Sequence, residues 1–118
     1  MLIKIWVFFF IFSSMTSKTE IRSAIRALKK QHNKEELQAQ SEEIMHKLEQ
    51  HPDFIKAKKI MLYSSLPDEV QTQDFIEKWR NQKQIILPTV VGDDIIPVEL
   101  TPDTGFAVGD FNILEPQN

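Results

Sequence analysis

Two groups of side chains in this sequence have the types and spacing to do chemistry. The first is Lys18, Arg22, Arg26 and Lys29, cations at intervals of three and four that fall on one side of a helix. They run beside a second stripe made by Ile21, Ile25 and Leu28. A basic stripe of this kind is either a solvated face or, at its first turn, a place for phosphate. There Lys18 offers a point charge, Arg22 a bidentate fork, and the positive end of the helix dipole lies beside both. The second group is the segment Ser64-Ser65-Leu66-Pro67-Asp68-Glu69-Val70-Gln71-Thr72, which follows the apolar run Ile60-Met61-Leu62-Tyr63. Hydrophobic strand, polar loop and helix start is the order in which open α/β sheets build ligand sites, at the carboxyl ends of their strands. Taken alone, the segment reads equally as an ordinary strand-to-helix connection.

The elements that must hold these groups follow from the flanking pattern. Ser17-Lys18-Thr19-Glu20 has the form of a capping box and opens a first helix ending about Lys30. Asn33-Lys34-Glu35-Glu36 opens a second, whose buried stripe is expected to be Leu37, Ile44 and Leu48 and which stops near Gln50, before Pro52. Lys59 to Tyr63 reads as a buried strand, and Thr72 as the cap of a third helix with Phe75, Ile76 and Trp79 on its apolar face. Gln84 to Leu87 is expected as a strand halted by Pro88, Val91-Gly92-Asp93-Asp94 as a turn, and Asp94 to Val98 as a further strand. After the loop Thr101–Gly105 comes a weak extended stretch from Phe106 to Phe111, and the final residues from Leu114 read as loop. Strand, helix, strand makes a βαβ unit and hence a parallel sheet.

Composition narrows the classes. The chain has 118 residues, 42% hydrophobic and 26% charged, which bounds it to one globular domain or part of one. A net charge of −3 gives no sign of a nucleic-acid partner. With no cysteine there are neither disulfides nor thiolate metal sites. His32, His46 and His51 lack a ligand-like spacing and read as solvated or helix-end residues. Residues 2–12 are almost wholly apolar after Lys4, yet too few to span a bilayer, which takes about 20. They imitate a secretory signal, but Ser13-Ser14-Met15 is a poor cleavage site. The reading preferred here treats residues 1–14 as a non-native upstream extension, with Met15 as initiator, over a signal-like segment; a membrane-anchored or secreted interaction module is the rival that this run favours.

Several motifs together resemble a known family. They are Lys18-Thr19-Glu20-Ile21-Arg22, Ser65-Leu66-Pro67-Asp68-Glu69-Val70-Gln71-Thr72, Leu87-Pro88, Val91-Gly92-Asp93 and Ile113-Leu114-Glu115-Pro116. In their order and spacing the chain resembles, from about Lys18 to Pro116, the N-terminal part of the 5-formyltetrahydrofolate cyclo-ligases, also called methenyltetrahydrofolate synthetases. The resemblance implies an α/β fold, a parallel-sheet three-layer domain of the cyclo-ligase type, with residues 15–118 as its N-terminal portion and the C-terminal part incomplete. It implies ATP-dependent closure of 5-formyltetrahydrofolate to 5,10-methenyltetrahydrofolate in a cytoplasmic, monomeric enzyme without membrane or nucleic-acid partners. In that chemistry ATP phosphorylates the formyl oxygen, the neighbouring folate nitrogen attacks the activated carbon, and phosphate leaves. By the same matching Lys18 and Arg22 bind ATP, while Ser64 and Glu69 line the folate pocket, Glu69 as an acceptor for the donor-rich pterin ring. The family's glycine-rich phosphate loop and acidic Mg2+ ligands have no counterpart among the three glycines, Gly92, Gly105 and Gly109, or elsewhere. The chain is therefore expected to be inactive alone, with no metal ligands of its own, and a non-catalytic folate-binding remnant or pseudoenzyme is the alternative.

Overall fold

The computed structural model describes residues 17–117 apart from 110 and 112; the expectations for residues 1–14 and Met15 lie outside these. Two compact units divide at Asn33 and Lys34. In the first, helix α1 spans Lys18–Lys29, and the Ser17 hydroxyl accepts from the Glu20 N–H at 3.1 Å, the forward half of the expected capping box. No residue of α1 is fully buried.

The second unit contains α2 (Lys34–Gln50), α3 (Pro52–Lys56), β1 (Lys59–Met61), α4 (Gln73–Trp79), β2 (Gln84–Val91), β3 (Asp94–Glu99), β4 (Gly105–Val108) and β5 (Leu114–Gln117). β1 and β2 pair in parallel, with α4 as the crossover between them. The α/β class with a parallel pair agrees with the sequence. Two antiparallel pairings accompany it: β2 with β3 as a hairpin, and β4 with β5 as a separate ribbon. Ile76 of α4, Ile85 and Leu87 of β2 and Leu100 form the core, with Ile60, Leu62, Trp79 and Phe106 packed against it. Each such aliphatic side chain contributes about 1.5–3 kcal/mol by leaving water.

Several local expectations need correction. Pro52 does not merely end α2; it takes the first turn of α3, where its missing N–H costs nothing, and His51 caps that turn by accepting from the Asp53 N–H at 3.2 Å. Ile44 does not belong to a buried stripe: it is 45% exposed, and the buried residue of α2 is Ser41. The strand Lys59–Tyr63 is shorter than expected and ends at Met61. Pro88 does not halt β2, which continues to Val91 with Pro88 opposite Pro97. A two-residue loop, Gly92-Asp93, joins Val91 to Asp94, with Gly92 at φ 62. Counting from it, Pro88 and Pro97 face each other at a non-hydrogen-bonded pair, where backbone nitrogens point away from the partner strand. Neither ring deletes a β2–β3 ladder bond, and on the other side β1 has already ended. Leu114–Gln117 is likewise strand rather than loop, and buried Glu115 accepts from the Val90 N–H at 3.1 Å.

Candidate functional site

The loop between β1 and α4 is pinned by its own polar side chains. Thr72 is 1% exposed and stands at the N-cap of α4, but its hydroxyl does not cap the helix. It donates to the Tyr63 carbonyl at 2.7 Å and accepts from the Ser65 N–H at 3.1 Å. The Ser65 hydroxyl returns the favour, accepting from the Thr72 N–H at 3.0 Å. This reciprocal pair closes the loop at its neck, each neutral bond contributing about 1 kcal/mol net. The Gln71 side-chain amide donates to the carbonyls of Leu66 at 2.8 Å and Glu69 at 2.7 Å, filling the loop from inside. Ser41 couples the loop to α2: its hydroxyl donates to the Leu37 carbonyl at 2.7 Å and accepts from the Gln71 N–H at 2.8 Å.

Ser64 and Glu69 both lie in this loop, in different settings. Ser64 is 4% exposed, and its hydroxyl accepts from the Gln73 amide at 3.4 Å. Glu69 is half-buried and turns one carboxylate oxygen back on the loop, accepting from the Leu66 N–H at 3.0 Å. Its charge and the partial desolvation of the ring act together on Tyr63. Desolvation first, and the Glu69 carboxylate second, raise the phenol above its ordinary pKa, and the hydroxyl donates to the Val70 carbonyl at 2.9 Å. Lys18 and Arg22 are exposed on α1, one turn apart beside the helix N-terminus.

A cavity of about 290 Å³ opens beside the loop, lined by Ser65, Pro67, Gln71 and Gln73 together with Leu37 of α2 and Leu114 of β5 among others. Ser65, rather than its neighbour Ser64, faces it. The two glutamines were not singled out by sequence reasoning, although their place on either side of Thr72 marked them as loop-neck residues. Their amide orientations follow from their partners. Carbonyls only accept, so the nitrogens of Gln71 and Gln73 face Leu66, Glu69 and Ser65, and each Oε1 is the end left to accept. The lining thus combines the polar side chains of Lys34, Gln38, Gln71 and Gln73 with the apolar Leu37, Pro67 and Leu114.

The family model of the 5-formyltetrahydrofolate cyclo-ligase family matches residues 14–118. The chain belongs to this family. Among solved structures it is similar to 5,10-methenyltetrahydrofolate synthetase of Aquifex aeolicus, determined by NMR, with 30% identity and a TM-score of 0.75. The likeness covers 86% of this chain and 52% of that one, so this cyclo-ligase family member spans about half the length of the solved structure it matches. No curated protein matches it. Among the described residues no group of three or more His, Asp or Glu is placed to hold a metal ion. No helix of the described residues is long and apolar enough to cross a membrane.

Proposed function

We propose that this chain supplies the folate-binding wall and part of the nucleotide site of a 5-formyltetrahydrofolate cyclo-ligase, the reaction being ATP-dependent closure to 5,10-methenyltetrahydrofolate. The observation that carries this reading is the family match across residues 14–118. The pinned loop supports it: a βα loop after the first strand, held by Ser65, Thr72 and Gln71, bordering a cavity lined by polar and apolar side chains. In this reading Glu69 and Ser64 orient the folate from within the loop, and Lys18 and Arg22 take ATP phosphate oxygens at the N-terminus of α1, a chemistry that suits an exposed Lys–Arg pair one turn apart. Magnesium would be held outside this chain, and the cytoplasm is the compartment that goes with the reading.

Titration of the 118-residue chain with 5-formyltetrahydrofolate, followed by isothermal calorimetry, tests it. Saturable 1:1 binding that Glu69→Gln weakens is expected; heat indistinguishable from dilution overturns the folate assignment. A second reading, a folate-binding chain without catalysis, is favoured by the three glycines, none arranged to wrap phosphate.

A further inference from the structure

The cavity beside the β1–α4 loop carries a charge that the loop itself does not need. Lys34, the first residue of α2, lines it, and among the described residues no carboxylate pairs with this lysine. Glu35 and Glu36 follow in the same turn, but neither lines the cavity. Ser65 borders the same space at 8% exposure, and its other polar groups are all in use. Its N–H donates to the Thr72 hydroxyl, its Oγ accepts from the Thr72 N–H, and its carbonyl accepts from the Gln73 amide at 3.1 Å. The hydroxyl hydrogen is what remains, and no described residue accepts it. A cation and a hydroxyl donor therefore border one cavity.

The rest of the wall narrows the ligand. Gln71 and Gln73 have their amide nitrogens committed to loop carbonyls, so each offers Oε1 as an acceptor. Leu37, Pro67 and Leu114 supply apolar surface, against which a flat ring can pack. At about 290 Å³ the cavity sits at the small end of ligand pockets. A pterin, rich in donors, would set its own hydrogens against the Lys34 ammonium and the Ser65 hydroxyl. An aryl amide that ends in a carboxylate meets every group: its anion suits Lys34 and Ser65, its N–H suits a glutamine Oε1, and its ring suits the leucines.

From this we infer that the cavity takes the benzoyl-glutamate end of a reduced folate, with Lys34 as counter-ion to a tail carboxylate and Ser65 as donor to an oxygen of the same end. The inference rests on the folate reading above and divides its ligand in two. Glu69, an acceptor, keeps the pterin, and the cavity keeps the anionic tail. Lys34 is then a specificity residue, which favours glutamate-bearing folates over bare pterins and touches no reacting atom.

Ser65→Ala would also deprive the Thr72 N–H of its acceptor, so the exposed Lys34 carries the test. The full chain and its Lys34→Gln, Lys34→Arg and Glu69→Gln variants are titrated by calorimetry with three probes: 5-formyltetrahydrofolate, p-aminobenzoyl-glutamate, and 5-formyltetrahydropterin, which lacks the tail. Lys34→Gln is expected to weaken the two tail-bearing probes by about fivefold, the reach of one exposed ion pair, and by less at high salt. It should leave the pterin within about twofold, and Lys34→Arg should leave all three there, since the charge is kept. Glu69→Gln should weaken the pterin and spare p-aminobenzoyl-glutamate. Folate binding that Glu69→Gln weakens and Lys34→Gln leaves intact would overturn the inference and keep the folate reading. Equal losses for pterin and tail in Lys34→Gln would also overturn it, by placing the pterin beside the lysine. Displacement of p-aminobenzoyl-glutamate by ATP, abolished in Lys34→Gln, would give the cavity to nucleotide phosphate instead. Heats of dilution alone with 5-formyltetrahydrofolate would overturn both readings together.

Discussion

At the residue scale the loop depends on Thr72, whose hydroxyl serves two backbone groups at once. Thr72→Val keeps the shape and removes both bonds, leaving a buried N–H and carbonyl without partners. A loss of about 1–3 kcal/mol in urea unfolding is expected, whereas Thr72→Ser should stay within about 1 kcal/mol of the parent; an undiminished stability in Thr72→Val would show that the hydroxyl does not hold the loop. Glu69→Gln retains an acceptor for the Leu66 N–H, so stability should change by less than about 1 kcal/mol while 5-formyltetrahydrofolate affinity falls. A fall in stability with affinity intact would make Glu69 a turn residue alone. The sequence named Ser64 and Glu69 from a motif, and a motif carries position but not direction. Whether a hydroxyl faces a cavity or a neighbouring amide depends on the turn at Pro67 and on Gln71, a residue whose long side chain can reach several partners. Ser41 was illegible for a similar reason: a serine inside an amphipathic helix reads as solvent-facing until the loop that needs its hydroxyl is in place.

At the element scale, α2 and α4 are joined by Glu49, whose carboxylate accepts from Lys78 at 2.7 and 2.9 Å and from the Trp79 indole at 2.9 Å. Desolvation pushes the Glu49 pKa up, but hydrogen bonds from Lys78 and Trp79 and the charges of Lys78 and His46 outweigh it, and the net shift is downward. A carboxyl group with a depressed pKa in the folded state adds stability above its ordinary value, and the contribution fades as the pH falls through the folded value. Wild type should therefore exceed Glu49→Gln by about 0.5–1 kcal/mol at pH 7, with the gap closing below about pH 4.3, the ordinary glutamate value. Thermal unfolding from pH 3 to 7 checks this; a gap independent of pH would assign the loss to packing. For α1, Arg22→Ala in a chain extended by the unmatched portion of the Aquifex aeolicus protein should weaken ATP binding by about 1.5–3 kcal/mol, the range for bonds to charged groups. Unchanged ATP affinity would return the basic stripe to solvent. The helices were legible because their caps and periods are local: Ser17 and the Phe75, Ile76, Trp79 stripe each lie within a turn or two. The strand ends were not. Pro88 stops a strand only if its nitrogen faces a partner, and that depends on register set four residues away at Gly92.

At the scale of the whole molecule, the βαβ unit, the Val91–Asp94 turn and the strand after it were readable, and the ribbon was not, since pairing between β4 and β5 turns on contacts that neither segment announces by its own pattern. The 118 residues alone should give no rise in absorbance at the methenyl product's band when supplied with 5-formyltetrahydrofolate, ATP and magnesium, because no glycine-rich segment in them can wrap the transferred phosphate. Turnover would overturn the assignment of nucleotide chemistry to residues outside this chain. The paired prolines have a consequence of another kind. In β3 the nitrogens of Ile95, Pro97 and Glu99 point away from β2, and Pro97 removes the middle donor of that row. The sheet thus has one edge with full backbone valence, at β1, and one that is blunted. Edge-to-edge polymerisation needs two competent ends per subunit. A sheet of this kind is monovalent, so concentrating the chain should favour capped pairs over growing fibrils.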